Sequence, residues 1–263
     1  MPLKQSFCLD CFRTEAQPLA DLFREAKAIG FAAVEIWFWD EGVDAIAEEA
    51  RRAGLVLCSM VGHGSHTQGL NDPTQHDRIV GELERSIRKA HELGVPGLIT
   101  LSGNRHAGQS DEAGAIEAAR CLRRVLPLAE ELGVNLNLEL LNSKVDHPFY
   151  MADRTDWAVL VCELCASPRA KILYDVYHMQ LMEGDVIRTL REIAPLLGHL
   201  HTAGVPGRKD IDHTQELNYA AIGRALQEIG YDGYVGHEFW TRHEDRVRAL
   251  REAHRILAGN GAD

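Results

Sequence analysis

The chain has 263 residues, 45% of them hydrophobic, and its 28 Lys and Arg against 39 Asp and Glu give a net charge of −11. This acidic balance argues against nucleic-acid or anionic-membrane partners, because phosphate groups are bound mainly by Lys and Arg. No apolar run is long enough to cross a membrane, and the first residues lack the apolar core of a signal peptide, so we expect a cytoplasmic protein.

Strand-like and helix-like segments alternate along the whole chain. Each of eight short β-rich segments is followed by a segment with helical periodicity. The predicted strands lie near residues 5–10, 32–38, 55–61, 97–102, 134–140, 171–176, 198–203 and 233–239. Three helical segments end at Gly30, Gly94 and Gly133, as expected just past a helix C-terminus. Strict alternation of strands and helices predicts a parallel sheet.

Eight strand–helix units in this length predict an α/β fold of the (β/α)8 TIM-barrel type. A doubly wound open sheet is the alternative. That fold requires a Gly-rich phosphate loop after its first strand, and residues 8–17 contain no glycine. No linker or low-complexity tract divides the chain, so we expect a single barrel domain over residues 1–263.

The six cysteines do not indicate a disulfide framework in a long acidic chain. Two pairs, Cys8 with Cys11 and Cys162 with Cys165, have C-x-x-C spacing, but they are too far apart in sequence for a zinc ribbon. Cys162 and Cys165 lie three residues apart on an apolar helical segment, and Cys8 lies in a predicted strand. We therefore expect buried, reduced thiols.

Four consecutive predicted strands end in polar residues that share one parity. In residues 134–140 the leucines alternate with polar residues, and the leucines must face the helices, so Glu139 faces the barrel axis. The same alternation places Asp175, His201 and Glu238 on the inward side at the ends of strands six, seven and eight. These ends meet at the barrel face that carries the chemistry of such folds.

A divalent metal ion would explain this convergence. Adjacent strands lie about 4.8 Å apart, so three carboxylates and one imidazole would crowd together. The carboxylates would repel one another and raise their own pKa values, and a cation removes that repulsion. The donor set suits Mn²⁺ or Mg²⁺, with Co²⁺ or Zn²⁺ as alternatives. Each residue alone has an ordinary explanation as a helix cap, a surface group or a core histidine, but their shared depth and parity favour one metal site.

Segments in the second half of the chain resemble the hydroxypyruvate isomerase family of xylose-isomerase-like barrels. The segments are LNLELLN (136–142), YDVYHMQLMEGD (174–185), GHLHTAGVPGR (198–208), ELNY (216–219) and YDGYVGHEF (231–239). The similarity runs in order from about residue 134 to 240. It implies an isomerase that interconverts aldoses and ketoses through an enediolate, most directly hydroxypyruvate and tartronate semialdehyde.

The resemblance also implies roles for individual residues. The residues that it assigns to one divalent metal are Glu139, Asp175, His201 and Glu238. Within this set the two glutamates are implied to transfer protons, while His178 and Arg208 contact a small hydroxy-keto acid or sugar. One departure concerns His201, because hydroxypyruvate isomerases tend to carry Gln there, whereas epimerases and inosose isomerases carry His. A second departure is a loop that is one residue longer than the family pattern.

Several further residues are candidates for contacts with the substrate. The planar fork of Arg208 suits a carboxylate or a pair of hydroxyl groups. Glu216 is expected either to form a hydrogen bond within the site or to cap the following helix. At least one of His63 and His66, which follow strand three, is expected to contact substrate. Glu35 has inward parity but lies mid-strand, which favours a buried hydrogen bond over catalysis.

Other functions fit parts of the pattern. A ketose 3-epimerase or another sugar isomerase would use the same metal site, and a non-catalytic sugar-binding barrel would leave the two opposed glutamates unexplained. A phosphodiesterase-like barrel that cleaves abasic DNA requires more zinc ligands and a basic groove, against which the charge argues. A homo-oligomer is compatible with aromatic residues near strand ends, which would otherwise wall the pocket or pack in the core. These residues are Phe12, Trp37, Trp39 and Trp240.

Overall fold

Eight parallel strands form the centre of the computed structural model, which describes residues 2–259. The strands are β1 (Lys4–Phe7), β2 (Ala33–Glu35), β3 (Val56–Val61), β4 (Gly97–Thr100), β5 (Asn135–Glu139), β6 (Ala170–Asp175), β7 (Leu197–Thr202) and β8 (Tyr234–His237). Their order in the sheet is β1-β8-β7-β6-β5-β4-β3-β2. The backbone of Ala32 donates to that of Gln5 at 2.9 Å, and an isolated parallel bridge joins Cys8 to Glu35, so the sheet closes between β1 and β2.

Ten α-helices follow the strands within residues 2–259. They are α1 (Leu9–Phe12), α2 (Leu19–Ile29), α3 (Val43–Arg52), α4 (His76–Leu93), α5 (Asp111–Leu132), α6 (Thr155–Cys165), α7 (Val176–Met182), α8 (Val186–Glu192), α9 (Tyr219–Glu228) and α10 (Arg246–Leu257). Short 3-10 turns lie at Pro73–Gln75 and Ala194–Leu196. Every strand is followed by at least one helix, so the predicted (β/α)8 TIM barrel is confirmed.

The predicted helix ends are also confirmed. Gly30, Gly94 and Gly133 follow α2, α4 and α5 directly, with φ angles of 120°, 74° and 75°. These angles favour glycine because a Cβ atom makes them costly. Each glycine donates its backbone N–H to the last turn of its helix, and the chain can then turn back into the next strand.

Strand register explains why the four polar strand ends share one face. Glu139 pairs with Leu173, so Asp175 lies two residues further along β6. Asp175 then pairs with His201 on β7, and His201 pairs with Gly236, two residues before Glu238. Offsets of zero or two residues preserve the alternation of inward and outward side chains. The predicted common parity is therefore carried across all four strands.

The cysteines are free and buried, as expected. Cys162 and Cys165 lie on α6, and Cys8 lies just beyond β1, where it precedes α1. Between residues 2 and 259 we find no helix with both the length and the apolar content needed to cross a membrane.

Candidate metal centre

The ends of strands β5 to β8 bring Glu139, Asp175, His201 and Glu238 together. One potential ligand atom from each residue lies within 4.8 Å of the other three. Nδ1 of His201 lies 3.2 Å from Oε1 of Glu139 and 3.3 Å from Oε2 of Glu238. All four residues are buried, with no more than 7% of their surface exposed. The crowding expected from the sequence is therefore present.

The two carboxylate oxygens of Asp175 have different roles. It ends β6 and is the N-cap of α7, where Oδ1 accepts hydrogen bonds from the backbone N–H groups of Tyr177 at 2.8 Å and His178 at 3.2 Å. Its Oδ2 has no hydrogen-bond partner among the described residues. Burial raises the pKa of Asp175 to about 7. Oδ1 therefore caps α7, and Oδ2 is left available to a ligand of the site.

Glu238 is held by two donors from different loops. Its Oε1 accepts from Nε1 of Trp37 at 2.5 Å, and its Oε2 accepts from Nη2 of Arg208 at 2.5 Å. Burial would raise the pKa of Glu238, but the charges of Arg208 and His201 hold it well below its usual range. Glu238 is therefore anionic in this arrangement. Its contact with Trp37 places one of the aromatic residues expected near the strand ends directly against the cluster.

His201 contacts carboxylates through both ring nitrogens. While Nδ1 faces the cluster, Nε2 lies 3.0 Å from Oε2 of Glu35. Burial lowers the pKa of His201, but Glu238 and Glu35 reverse this effect and raise it well above its usual value. Burial likewise opposes ionisation of Glu35, but His199 and His201 lower its pKa to about 2. As expected, Glu35 is a buried hydrogen-bonding residue, with 2% of its surface exposed, but its predicted mid-strand position is wrong because Glu35 ends β2.

The cluster of Glu139, Asp175, His201 and Glu238 fits a divalent cation on two grounds. Three carboxylates and one imidazole form a donor set suited to cations such as Mn²⁺, Co²⁺ or Zn²⁺. In addition, the buried Oδ2 of Asp175 lacks a partner, although buried polar atoms are normally paired. The structure therefore contains a buried cluster that could hold a metal ion.

His178 presents a hydrogen-bond donor beside this cluster. Its Nδ1 accepts from the backbone N–H of Asn142 at 3.0 Å and lies 2.6 Å from Nδ2 of the same residue. Burial lowers the pKa of His178 well below its usual value, so the ring is neutral. A neutral ring that accepts at Nδ1 carries its proton on Nε2. That Nε2 lies 3.7 Å from Oδ2 of Asp175 and has no partner of its own.

Asn142 is a site residue that sequence reasoning did not single out. It lies just beyond β5, three residues after Glu139, within the segment LNLELLN. Its Oδ1 accepts from the backbone N–H groups of Val145 and Asp146, which fixes the amide so that Nδ2 points at His178. Asparagine is common in the loops that follow strands, so its residue type alone did not distinguish it. Identifying it would have required knowledge of the loop conformation.

A second histidine, His147, lies above His178. Its ring centroid is 5.5 Å from that of His178 and 5.5 Å from that of His66. Burial lowers the pKa of His147 to about 4. Successive ring contacts thus connect the exposed His66 to the buried His178. Of the two histidines predicted after strand three, His66 is thus the one joined to the site by ring contacts.

Two other candidates, His63 and Glu216, form hydrogen bonds with residues outside the metal cluster. His63 is buried, accepts from the backbone N–H of Leu101 at 2.9 Å, and lines a cavity of about 290 Å³ between β3 and α4. Glu216 is exposed, and its Oε1 accepts from Nε2 of Gln180 at 3.2 Å. It does not cap the following helix, because Asn218 accepts from the N–H of Ala221 there. The cap interpretation of Glu216 is therefore wrong.

Aromatic residues near the strand ends divide into two groups. Trp37 contacts Glu238, and its ring packs edge-on against Trp240 at 5.8 Å, so this pair lies beside the cluster. Trp39 instead donates to Ser86, and Phe12 packs against the core residue Phe239. Trp240 remains 40% exposed. Trp37 and Trp240 therefore fit the expectation of aromatic residues that wall the pocket. Trp39 and Phe12 fit the expectation of ordinary packing.

Comparisons with known proteins identify one family. The sequence profile of the family described as "Xylose isomerase-like TIM barrel" matches residues 23–259. A Homo sapiens protein named "Putative hydroxypyruvate isomerase" is 30% identical, with 95% of this chain and 93% of that protein covered. A "2-oxo-tetronate isomerase" of Cupriavidus necator is also 30% identical, over 84% and 87%. The solved structure of an L-ribulose 3-epimerase has the same fold, with a TM-score of 0.81, 20% identity and coverage of 98% and 95%.

Proposed function

Because the chain belongs to the hydroxypyruvate isomerase family of xylose isomerase-like TIM barrels, and is an isomerase, we propose that it converts hydroxypyruvate to tartronate semialdehyde with a bound divalent metal ion. One observation carries the proposal. Two glutamates at the ends of non-adjacent strands, Glu139 and Glu238, both lie close to Nδ1 of His201, at 3.2 and 3.3 Å. This arrangement offers two carboxylates to a small substrate bound between them.

Four side chains would hold the metal, and they are Glu139, Asp175, His201 and Glu238. A divalent cation bound there supplies Lewis-acid stabilisation of negative charge on neighbouring substrate oxygens. The chain contributes the burial of the site, which excludes water and strengthens electrostatic interactions. Mn²⁺ or Mg²⁺ is the proposed ion, with Co²⁺ or Zn²⁺ as alternatives.

The two glutamates transfer the protons. One carboxylate removes a proton from the hydroxyl-bearing carbon next to the substrate carbonyl, which leaves an enediolate. The other glutamate returns a proton to the neighbouring carbon, the hydroxyl proton passes to the former carbonyl oxygen, and the carbonyl moves by one position. Glu139 ends β5 and Glu238 directly follows β8, and two strands separate β5 from β8, so the two glutamates can flank a three-carbon substrate.

Two further side chains orient the substrate. Nε2–H of His178 has no partner and points toward Asp175, so it can donate to a substrate oxygen. Arg208 lies in the left-handed region, at φ 54°, and its Nη2 contacts Glu238 while its buried Nε has no partner. That free N–H suits the carboxylate of a hydroxy-keto acid. His63 and Glu216, the other two candidates for substrate contacts, bind Leu101 and Gln180 instead of the residues of the metal cluster.

A ketose 3-epimerase is the second candidate function, and one residue favours it. The cluster contains His201, whereas hydroxypyruvate isomerases tend to carry Gln at that position. Epimerisation uses the same first proton transfer but returns the proton to the same carbon from the opposite side. The solved L-ribulose 3-epimerase has the same fold as this chain.

Product analysis separates the two functions. Mn²⁺-loaded protein is incubated in D2O with hydroxypyruvate, and separately with a set of ketoses, and the products are followed by NMR. We expect the carbonyl of hydroxypyruvate to move, with solvent deuterium at the carbon that it leaves. Inversion at C3 of a ketose with no change in hydroxypyruvate would contradict the proposal and establish the epimerase. No turnover of any substrate by metal-loaded protein would favour a binding barrel.

A further inference from the structure

A buried carboxylate lies directly beneath His201, on the side away from the other ligands. This residue is Glu35, and its two oxygens accept three hydrogen bonds. Oε1 accepts from the hydroxyl of Ser6 at 3.0 Å. Oε2 lies 2.7 Å from Nε2 of His199 and 3.0 Å from Nε2 of His201. With three donors converging on it, Glu35 acts as an acceptor at every contact.

The barrel makes room for this carboxylate at one position of β8. A Cβ atom placed on Gly236 would lie 1.9 Å from Oε1 of Glu35 and 3.0 Å from Cδ2 of His201. Neither distance is compatible with normal packing, so any larger residue at Gly236 would displace both side chains. The local register shift between Val34 and Glu35 also sets where the carboxylate points. Glu35 and His201 are therefore fitted to each other across the interior.

The contact with Glu35 determines which ring nitrogen of His201 is available. An imidazole that donates from Nε2 keeps a lone pair on Nδ1 when it is neutral. Nδ1 is the atom that faces Glu139 and Glu238, within the cluster that could hold a metal. Carboxylates that accept from the second nitrogen of a metal-binding histidine fix the orientation of its ring and make it a stronger ligand.

We propose that Glu35 is a positioning residue for His201, and that its negative charge, held in place by His199 and Ser6, directs Nδ1 to the metal and raises its affinity. This inference rests on the proposed function, because it assumes that the cluster binds a divalent cation. It extends that function to a residue on β2, a strand that contributes none of the four ligands.

A second metal ion is the competing explanation. Ligand atoms of Glu35, His199 and His201 also lie within 4.8 Å of one another. A second ion there would require His201 to lose both ring protons and bridge two cations. It would also replace two hydrogen bonds that already satisfy Glu35. The positioning role requires neither change, and metal stoichiometry distinguishes the two explanations.

Glu35→Gln is the test variant. Glutamine has nearly the same shape, its oxygen can still accept from the two imidazoles, and its amide can face Ser6, but the negative charge is lost. Asp153→Asn is the matched control. Asp153 is also a buried carboxylate, 5% exposed, but it pairs with Arg105 and Ser143 instead of the cluster. Both variants are compared with wild type by circular dichroism and by Mn²⁺ titration followed by EPR.

We expect wild type and Asp153→Asn to bind one Mn²⁺ per chain with similar affinity, and Glu35→Gln to bind it roughly 10- to 100-fold more weakly. A folded Glu35→Gln protein with an affinity within twofold of wild type would overturn the inference. An equal loss in Asp153→Asn, or binding of two ions by wild type with one lost in Glu35→Gln, would overturn it as well. Wild-type protein that binds no divalent cation would instead contradict the proposed function.

A measurement on the wild-type protein decides the matter if Glu35→Gln does not fold. The protein is labelled with 15N-histidine and loaded with Zn²⁺, which is diamagnetic. NMR then reports which nitrogen of His201 carries the proton. We expect the proton on Nε2 and the metal on Nδ1. The opposite assignment would refute the role of Glu35.

Discussion

Nε2 of His178 lies 3.7 Å from Oδ2 of Asp175, and neither atom has a hydrogen-bond partner in the described part of the chain. The distance is too long for a hydrogen bond between them. Both atoms are buried, where unpaired polar groups are costly. A cation on Asp175 and a substrate oxygen on His178 would each supply a missing partner. The pair therefore marks the boundary between the proposed metal site and the proposed substrate site.

Removal of divalent metal should abolish turnover. Prolonged treatment with a chelator, followed by desalting, yields apo-protein, and addition of Mn²⁺, Mg²⁺ or Co²⁺ should restore the rate of isomerisation. The reason is that three buried carboxylates and one imidazole provide no Lewis acid of their own. Elemental analysis accompanies each assay. Full activity in protein that contains no metal would contradict the metal-dependent mechanism.

Replacing either glutamate by glutamine should slow catalysis. Glu139→Gln and Glu238→Gln each keep an oxygen for the metal but remove a proton acceptor, so turnover should fall by roughly 10²-fold or more, with a smaller change in KM. Asp175→Asn is the comparison, because it should act mainly through metal affinity and be partly rescued by excess Mn²⁺. If either glutamine variant retains near-normal turnover with metal bound, the two-glutamate mechanism is wrong.

Asn142→Asp should impair catalysis through His178. The substitution replaces the amide N–H that faces Nδ1 of His178 with a carboxylate oxygen, which favours a proton on Nδ1. The neutral ring that donates from Nε2 would then no longer be favoured. Because an unpaired buried polar group costs ~1–3 kcal/mol, kcat/KM should fall by about tenfold or more. His178→Ala should lower the same parameter.

Asn218→Asp is the control for that substitution. Asn218 caps α9 by accepting from the N–H of Ala221, and aspartate caps helices about as well as asparagine. Its kcat/KM and thermal stability should match those of wild type. An Asn142→Asp protein with an unchanged kcat/KM and an unchanged 15N spectrum of His178 would show that Asn142 does not set the protonation of this ring.

Stability should fall in acid partly because of His63. Burial lowers its pKa from 6.5 to about 4 in the folded protein, so the unfolded chain binds more protons between these values. The contribution of neutral His63 to the free energy of unfolding is fully present above pH 6.5. It is lost as the pH falls toward 4, by at most about 1.4 kcal/mol per pH unit.

Urea unfolding at pH 7.5, 6.0 and 5.0 measures this loss. His63→Gln keeps an acceptor for the backbone N–H of Leu101 but cannot be protonated, so its free energy of unfolding should depend less steeply on pH. His213→Gln, at an exposed position, should leave the pH dependence of wild type unchanged. Equal slopes for wild type and His63→Gln would exclude His63 as a source of the acid sensitivity.

Local periodicity was enough to predict the barrel and the meeting point of its polar strand ends. Alternation of strands and helices indicated eight units, and Gly30, Gly94 and Gly133 marked where three of the chain reversals begin. The two-residue repeat within strands placed Glu139, Asp175, His201 and Glu238 on one side. Parity is a property of each strand alone, and at these four strand ends parallel neighbours preserve it because their register offsets there are even.

The partners of these side chains could not be predicted in the same way. Trp37 contacts Glu238, and Glu35 contacts His201, although more than 160 residues of sequence separate the partners. These contacts form because closure of the barrel between β1 and β2 brings β2 close to β8 and β7. Asn142 reaches His178 because the loop after β5 folds over the start of α7. Glu216, expected at the site or at a helix cap, lies exposed beside Gln180. Such contacts depend on barrel closure and loop conformation, which no short-range repeat in the sequence encodes.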